Sequence, residues 1–134
     1  MPLVSGSFEI QMERQPPYDT GEGAELGRTS IKKQFEGGLE ATSTAEMLTA
    51  VSDVPGSAGY VAIERVSGML EGLSGSFVLL HSGTMTRGAP RLSVSVVPDS
   101  GSGELQGISG AMTIDIVEGR HLYTFHYEIE TADS

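Results

Sequence analysis

The chain has 134 residues, with 8 Lys and Arg against 18 Asp and Glu for a formal net charge of −10, and it has no cysteine. A field of that sign repels phosphate backbones and anionic bilayers, so neither nucleic acid nor membrane is an expected partner, and the missing thiols exclude disulfides, thiolate zinc sites and cysteine nucleophiles. Glycine is in excess: 18 residues, about 13% of the chain against a usual ~7%, are spread along it as turns between short strands require.

The chain opens Met1-Pro2-Leu3-Val4-Ser5 with no basic start and no long apolar run, and no stretch approaches the ~20 apolar residues of a membrane helix. A cytoplasmic protein forming a single domain over residues 1–134 is expected. The first predicted strand, Ser7 to Glu13, alternates with period two: Phe8, Ile10 and Met12 face one way and Glu9, Gln11 and Glu13 the other. Pro16-Pro17 and Gly21-Glu22-Gly23 then mark a loop.

The second strand runs from about Leu26 to Glu36 and the third from Leu39 to about Ala50, with Gly37-Gly38 between them. A Gly-Gly pair suits a two-residue type I′ turn, which needs positive φ at both central residues and fixes the register. The register so predicted pairs Glu36 with Leu39, Phe35 with Glu40, Lys33 with Thr42, Ile31 with Thr44 and Thr29 with Glu46. The fourth strand covers about Gly59 to Leu70 and the fifth about Ser76 to Met85. The loop Gly72-Leu73-Ser74-Gly75 then pairs Leu70 with Phe77, Val66 with His81 and Glu64 with Gly83. The sixth strand is about Arg91 to Val97, stopped by Pro98, and the seventh about Ala111 to Val117. The eighth, His121 to Glu130, puts Tyr123, Phe125, Tyr127 and Ile129 on its apolar face.

No segment keeps helical periodicity over about three turns. Eight sequential strands joined by short loops predict an all-β, closed, eight-stranded antiparallel up-and-down barrel, since closure removes the edges that would aggregate. A two-sheet sandwich is the structural alternative.

Two segments echo each other at an offset of 35 residues: Gly68-Met69-Leu70-Glu71-Gly72-Leu73-Ser74-Gly75-Ser76-Phe77 and Gly103-Glu104-Leu105-Gln106-Gly107-Ile108-Ser109-Gly110-Ala111-Met112. Two copies are too few for a solenoid; they read as one turn design used twice, its large apolar residues docking on the core. The stretch Pro98 to Gly110, with Gly101, Gly103, Leu105, Gly107 and Gly110 in fixed spacing, resembles the glycine-rich turn of allene oxide cyclase and dirigent-like barrels. Lys33-Gln34-Phe35, Gly38-Leu39-Glu40, Ala41 to Glu46, Glu64-Arg65-Val66-Ser67-Gly68 and Gly75 to His81 resemble more closely a bacterial family of unknown function grouped with those barrels. That resemblance covers nearly the whole chain. It implies an allene oxide cyclase-like barrel and a homo-oligomer, dimer or trimer, and it brings no activity, because a fold hosts many functions.

With Ile31 and Phe35 inward, Lys33 is inward too, and the predicted register adds Thr42, Thr44 and Glu46 to its face. Glu64 shares a face with Tyr60, Ala62, Val66 and Leu70, and His81 with Phe77 and Leu79. Lys33, Glu46, Glu64 and His81 are therefore expected to converge inside the barrel. With Thr42, Thr44 and Tyr123 they make the candidate ligand-binding set. Buried charges must be paired or wetted, so the cluster reads as a structural network, a ligand pocket or an acid–base centre. No catalytic residue is singled out.

Other motifs carry less. His126 and Glu128 lie on a polar, solvated face, and His121 and His126 point to opposite faces, so no metal site is expected. Gly101-Ser102-Gly103 lacks the helix that a phosphate loop needs, no serine sits in a nucleophile elbow, and no cofactor is implied. Three functions fit: a barrel binding one small apolar or amphipathic molecule, a cyclase- or isomerase-like enzyme on a small apolar substrate with Glu46, Glu64 or His81 moving a proton, and a structural or assembly protein with a filled barrel. In the first, small inward residues (Ala62, Gly68, Gly83) would leave room for a ligand; in the second, the aromatic wall of Phe8, Phe35, Phe77, Tyr123, Phe125 and Tyr127 would shape the substrate.

Overall fold

The computed structural model describes residues 2–130. Its strands are β1 (Leu3–Arg14), β2 (Ala24–Gly37), β3 (Leu39–Ser52), β4 (Ala58–Leu70), β5 (Leu73–Thr86), β6 (Ala89–Val96), the two-residue β7 (Ser102–Gly103), β8 (Ile108–Val117) and β9 (Arg120–Ile129). No residue described is helical. Each long strand pairs antiparallel with the next, β6 reaches past β7 to β8, and β9 returns to β1. Eight strands thus close an up-and-down barrel, and β7 lies as an addition against β5. Alternate residues are buried along β3 from Leu39 to Ala45 and along β4 from Ala62 to Val66, as the pleat of a one-sided sheet requires.

Two registers differ from those the turns predict. Across β2 and β3, Phe35 pairs with Ala41, Lys33 with Ser43, Ile31 with Ala45 and Thr29 with Met47. The turn is one residue longer than a type I′ turn: Gly37 has φ +109°, while Gly38 is not in the positive region. A slip of one residue exchanges the two faces. Ala41, Ser43 and Ala45 therefore point inward, and Thr42, Thr44 and Glu46 point to solvent. Across β4 and β5 the strands run on to a tight turn at Glu71-Gly72, both with positive φ (48° and 85°). Leu70 meets Leu73, Val66 meets Phe77, Glu64 meets Leu79 and Ala62 meets His81. Leu73 to Gly75 belong to β5, not to a loop. This displacement is an even number of residues, so the faces survive and Glu64 and His81 remain inside.

The barrel has a filled end and an open end. At the filled end the connection from β6 to β8 folds under the barrel and inserts Leu105, which is fully buried with Leu39, Leu70, Phe77 and Phe125. It is tied on by reciprocal bonds: the Glu104 N–H donates to the Ser74 carbonyl at 2.9 Å and the Ser74 N–H to Glu104 Oε1 at 3.0 Å. The echoed glycines Gly72 and Gly107 share one backbone state, φ +85° and +87°, and the echoed Leu70 and Leu105 are both buried. Only the first copy is a hairpin turn; the second is part of this inserted connection.

At the other end lie the 15–23 loop and the turns at 53–57, 87–88 and 118–119. Here residues of inward register stay in contact with solvent. Met12 pairs with Ile31, Leu92 with Gly83 and Ile116 with His121, all on the inner face, yet Met12 is 60%, Leu92 43% and Ile116 68% exposed. Nothing comparable to Leu105 covers them among the described residues.

Candidate functional site

Between the apolar rim and the filled half sits a charged centre. On β4, Glu64 lies between Ala62 and Val66 on the inner face and is wholly buried. On β5, His81 lies between Leu79 and Gly83; on β2, Lys33 lies between Ile31 and Phe35. Glu64 Oε1 accepts from Lys33 Nζ at 3.2 Å and from His81 Nε2 at 2.7 Å, and Glu64 Oε2 accepts from the Ser43 hydroxyl at 2.5 Å. The Lys33 ammonium also lies 4.7 Å from the centroid of the Phe8 ring, an attractive cation–π geometry. Every polar atom of Glu64 is thereby satisfied, as burial of a charge requires.

Burial is the largest single influence on the Glu64 carboxyl and pushes its pKa up. The His81 bond, the Lys33 ammonium and the Ser43 bond together outweigh it and hold the group below its ordinary 4.5. A group depressed on folding stabilises the fold above its unfolded pKa, and that contribution is lost as pH falls through the folded value. The thermal midpoint of the wild type is therefore expected to fall more steeply than that of Glu64→Gln from about pH 5 downward. Parallel curves would show that this carboxylate contributes no such linkage.

An ionised carboxylate only accepts, so His81 Nε2 carries a proton. The other ring nitrogen, Nδ1, has no partner among the described residues, and no side-chain polar atom there is both fully buried and unbonded. His81 Nδ1 therefore keeps some contact with solvent. In neutral imidazole it is a lone pair held in place by Glu64, available to accept a hydrogen bond or a proton.

Of the seven residues expected to bind a ligand, the barrel brings Lys33, Glu64 and His81 together. Thr42, Thr44 and Glu46 are on the outer face for the register reason given above. Glu46 there accepts from Ser30 Oγ at 3.0 Å and pairs with Arg28 at 3.3 Å, in solvent. Thr42 and Thr44 still border a cleft of about 910 Å³ that Lys33, Ser43 and His121 also line, close to where β1 runs on beyond its last β9 partner, the Phe8–His121 pair. Tyr123 is inward, but its hydroxyl is committed to the β2–β3 turn, accepting from the Leu39 N–H at 3.0 Å and facing the Glu36 carbonyl at 2.8 Å. The aromatic wall is spent on packing: Phe77 stacks on Phe125 and Phe125 on Tyr127, with centroids 5.5 and 5.6 Å apart. Ser43 was missed by sequence reasoning; the apolar alternation of Leu39, Ala41 and Ala45 around it was the signal that could have found it.

A family model described as protein of unknown function (DUF3224) matches residues 4–127. The solved structure of a protein with unknown function from the DUF3224 family of Shewanella oneidensis MR-1 is 49% identical, with 98% of this chain and 99% of that chain covered and a TM-score of 0.92. No curated protein matches.

Proposed function

We propose, from the premise that this chain belongs to the DUF3224 family of proteins of unknown function, that its barrel binds one small amphipathic molecule through the open end. The observation that carries this is the join of two features: an exposed ring of inward apolar side chains, and beneath it a buried charged centre with one ring nitrogen, His81 Nδ1, that has no partner among the described residues. An apolar pocket with a few convergent polar groups is the usual form of a small-molecule site, and an eight-stranded barrel is wide enough for one small ligand. Ala45 and Ala62, paired with Glu64 and His81 respectively, keep the space beside the polar centre small-sided, whereas Gly83 and Gly68, expected to leave room as well, do not: the Tyr60 ring packs over Gly83 and the Glu40–Ala41 backbone over Gly68. The ligand this fits has an apolar body against Met12, Leu92 and Ile116 and a head that donates a hydrogen bond. Kinship with allene oxide cyclase-like barrels belongs to the same reading, supported by the closed eight-stranded meander, and no substrate is carried over with it.

The test uses 8-anilinonaphthalene-1-sulfonate as a fluorescent probe of the folded protein. Enhancement is expected for the wild type and should be lost in Met12→Glu/Ile116→Glu, whose exposed positions tolerate charge. A straight-chain alcohol should displace the probe at lower concentration than the nitrile of equal length, which cannot donate, and His81→Phe should abolish that preference. Equal fluorescence from wild type and the double variant would remove the open end as the site.

The Glu64–His81 pair also supports a second reading, proton transfer on a bound apolar substrate by the isomerase- or cyclase-like route. Native mass spectrometry separates the two: a co-purified molecule that is released unchanged on incubation supports binding, and one that leaves chemically altered supports catalysis.

A further inference from the structure

On β4 the usual arrangement of polarity is inverted. Glu64 is inside, while its neighbours Val61 and Ile63 face solvent, each about half exposed. Leu48 pairs directly with Val61 and Ile63 with Leu80, and Leu48 and Leu80 are exposed as well. Four large apolar side chains thus form one patch across three adjacent strands. A solvent-facing position has no need of them, and contiguous exposed apolar surface of this kind marks an interaction site. The patch runs into a concavity of about 660 Å³ bordered by Tyr18, Leu26, Leu48, Val61 and Arg91.

Charge identifies the occupant. The outward positions of β4, β5 and β6 include Arg65, Arg91 and a run of serines and threonines, but no Asp or Glu. Every other strand of the ring turns at least one carboxylate outward: Glu9 on β1, Glu36 on β2, Glu40 on β3, Asp115 on β8 and Glu128 on β9. Two copies of a chain with net charge −10 repel each other, and the β4–β6 face sets the least carboxylate against carboxylate: the one that borders its centre, Glu46 beside Ile63, is paired with Arg28 at 3.3 Å. An anionic bilayer would be repelled by the same net charge. We infer that the β4–β6 face, centred on Val61, Ile63 and Leu80, is the contact between copies of this chain.

Light scattering coupled to size exclusion measures this on the intact protein. The expected mass is a multiple of 14.1 kDa, and assembly should tighten as added salt screens the repulsion. Ile63→Glu should weaken association by about 100-fold or more, through an unpaired charge in the contact, while leaving the far-ultraviolet circular dichroism unchanged. Gln11→Glu, on the opposite face, should leave the mass unaltered. Should Ile63→Glu fail to fold, Leu80→Ser repeats the measurement without adding charge. A wild type of 14.1 kDa at every concentration, or a folded Ile63→Glu variant that assembles like the wild type, would overturn the inference.

Discussion

Glu64→Ala is expected to destabilise the barrel by about 3–5 kcal/mol, because removing one partner of a buried ion pair strands the other. Lys33 has only 8% of its side chain exposed, and its one ion-pair partner among the described residues is Glu64. Without that carboxylate the ammonium keeps the Phe8 ring, which offsets little of its desolvation, and Ser43 and His81 lose their acceptor. Lys33→Met alone should cost less, since Glu64 retains His81 and Ser43. The sharper expectation concerns the pair: Lys33→Met/Glu64→Leu should recover the part of the loss that comes from the stranded ammonium, because replacing a buried pair by apolar groups of similar volume is often neutral, while Ser43 and His81 stay without their acceptor. Urea unfolding of the wild type, Lys33→Met, Glu64→Leu and Lys33→Met/Glu64→Leu closes the cycle, with Glu64→Ala measured beside them. If the double variant is no better than Glu64→Ala, the pair is not the reason for the loss.

Leu105→Ala is expected to cost about 2–5 kcal/mol, the range for a large side chain removed from a packed interior. Its burial follows from the connection that carries it across the base of the barrel, pinned to Ser74 on both sides of the Glu104 backbone and side chain. Ile116→Ala, at the opposite end, should cost less than about 0.5 kcal/mol, as an exposed position away from special backbone features does. Both residues point into the same barrel, Leu105 from the connection under its base and Ile116 from β8, so the difference measures the asymmetry of the ends. Equal costs in denaturant unfolding would mean that the open end is closed in solution.

Strand positions and most inward faces were legible because a pleated strand exposes its period directly in the sequence. Glu64 could be placed inside by its company, Tyr60, Ala62, Val66 and Leu70, even though its own chemistry argues for solvent. A two-residue turn at Gly37-Gly38 places β3 one residue off, against the apolar alternation of the strand itself. Leu39, Ala41, Ala45 and Met47 form a small-sided apolar face that gives a weaker signal than a row of threonines gives of polarity. The turn's position at Glu71-Gly72 instead of Gly72 to Gly75 leaves the site intact, since an even displacement preserves faces. What was not legible is which end of the barrel is covered. That depends on a connection far along the chain reaching under strands it does not follow, and nothing local in Met12 or Ile116 reports it.

Ring closure has a consequence for synthesis. β1 gains its second neighbour only from β9, more than a hundred residues later, through pairs such as Leu3 with His126 and Phe8 with His121. A contact of such sequence separation must wait for the whole chain and is slow to form. A growing chain therefore carries two unsatisfied strand edges, on β1 and on its newest strand, until β9 emerges. Those edges can template pairing with other chains, so the interval between translation of β8 and docking of β9 is when this protein is most exposed to misassembly.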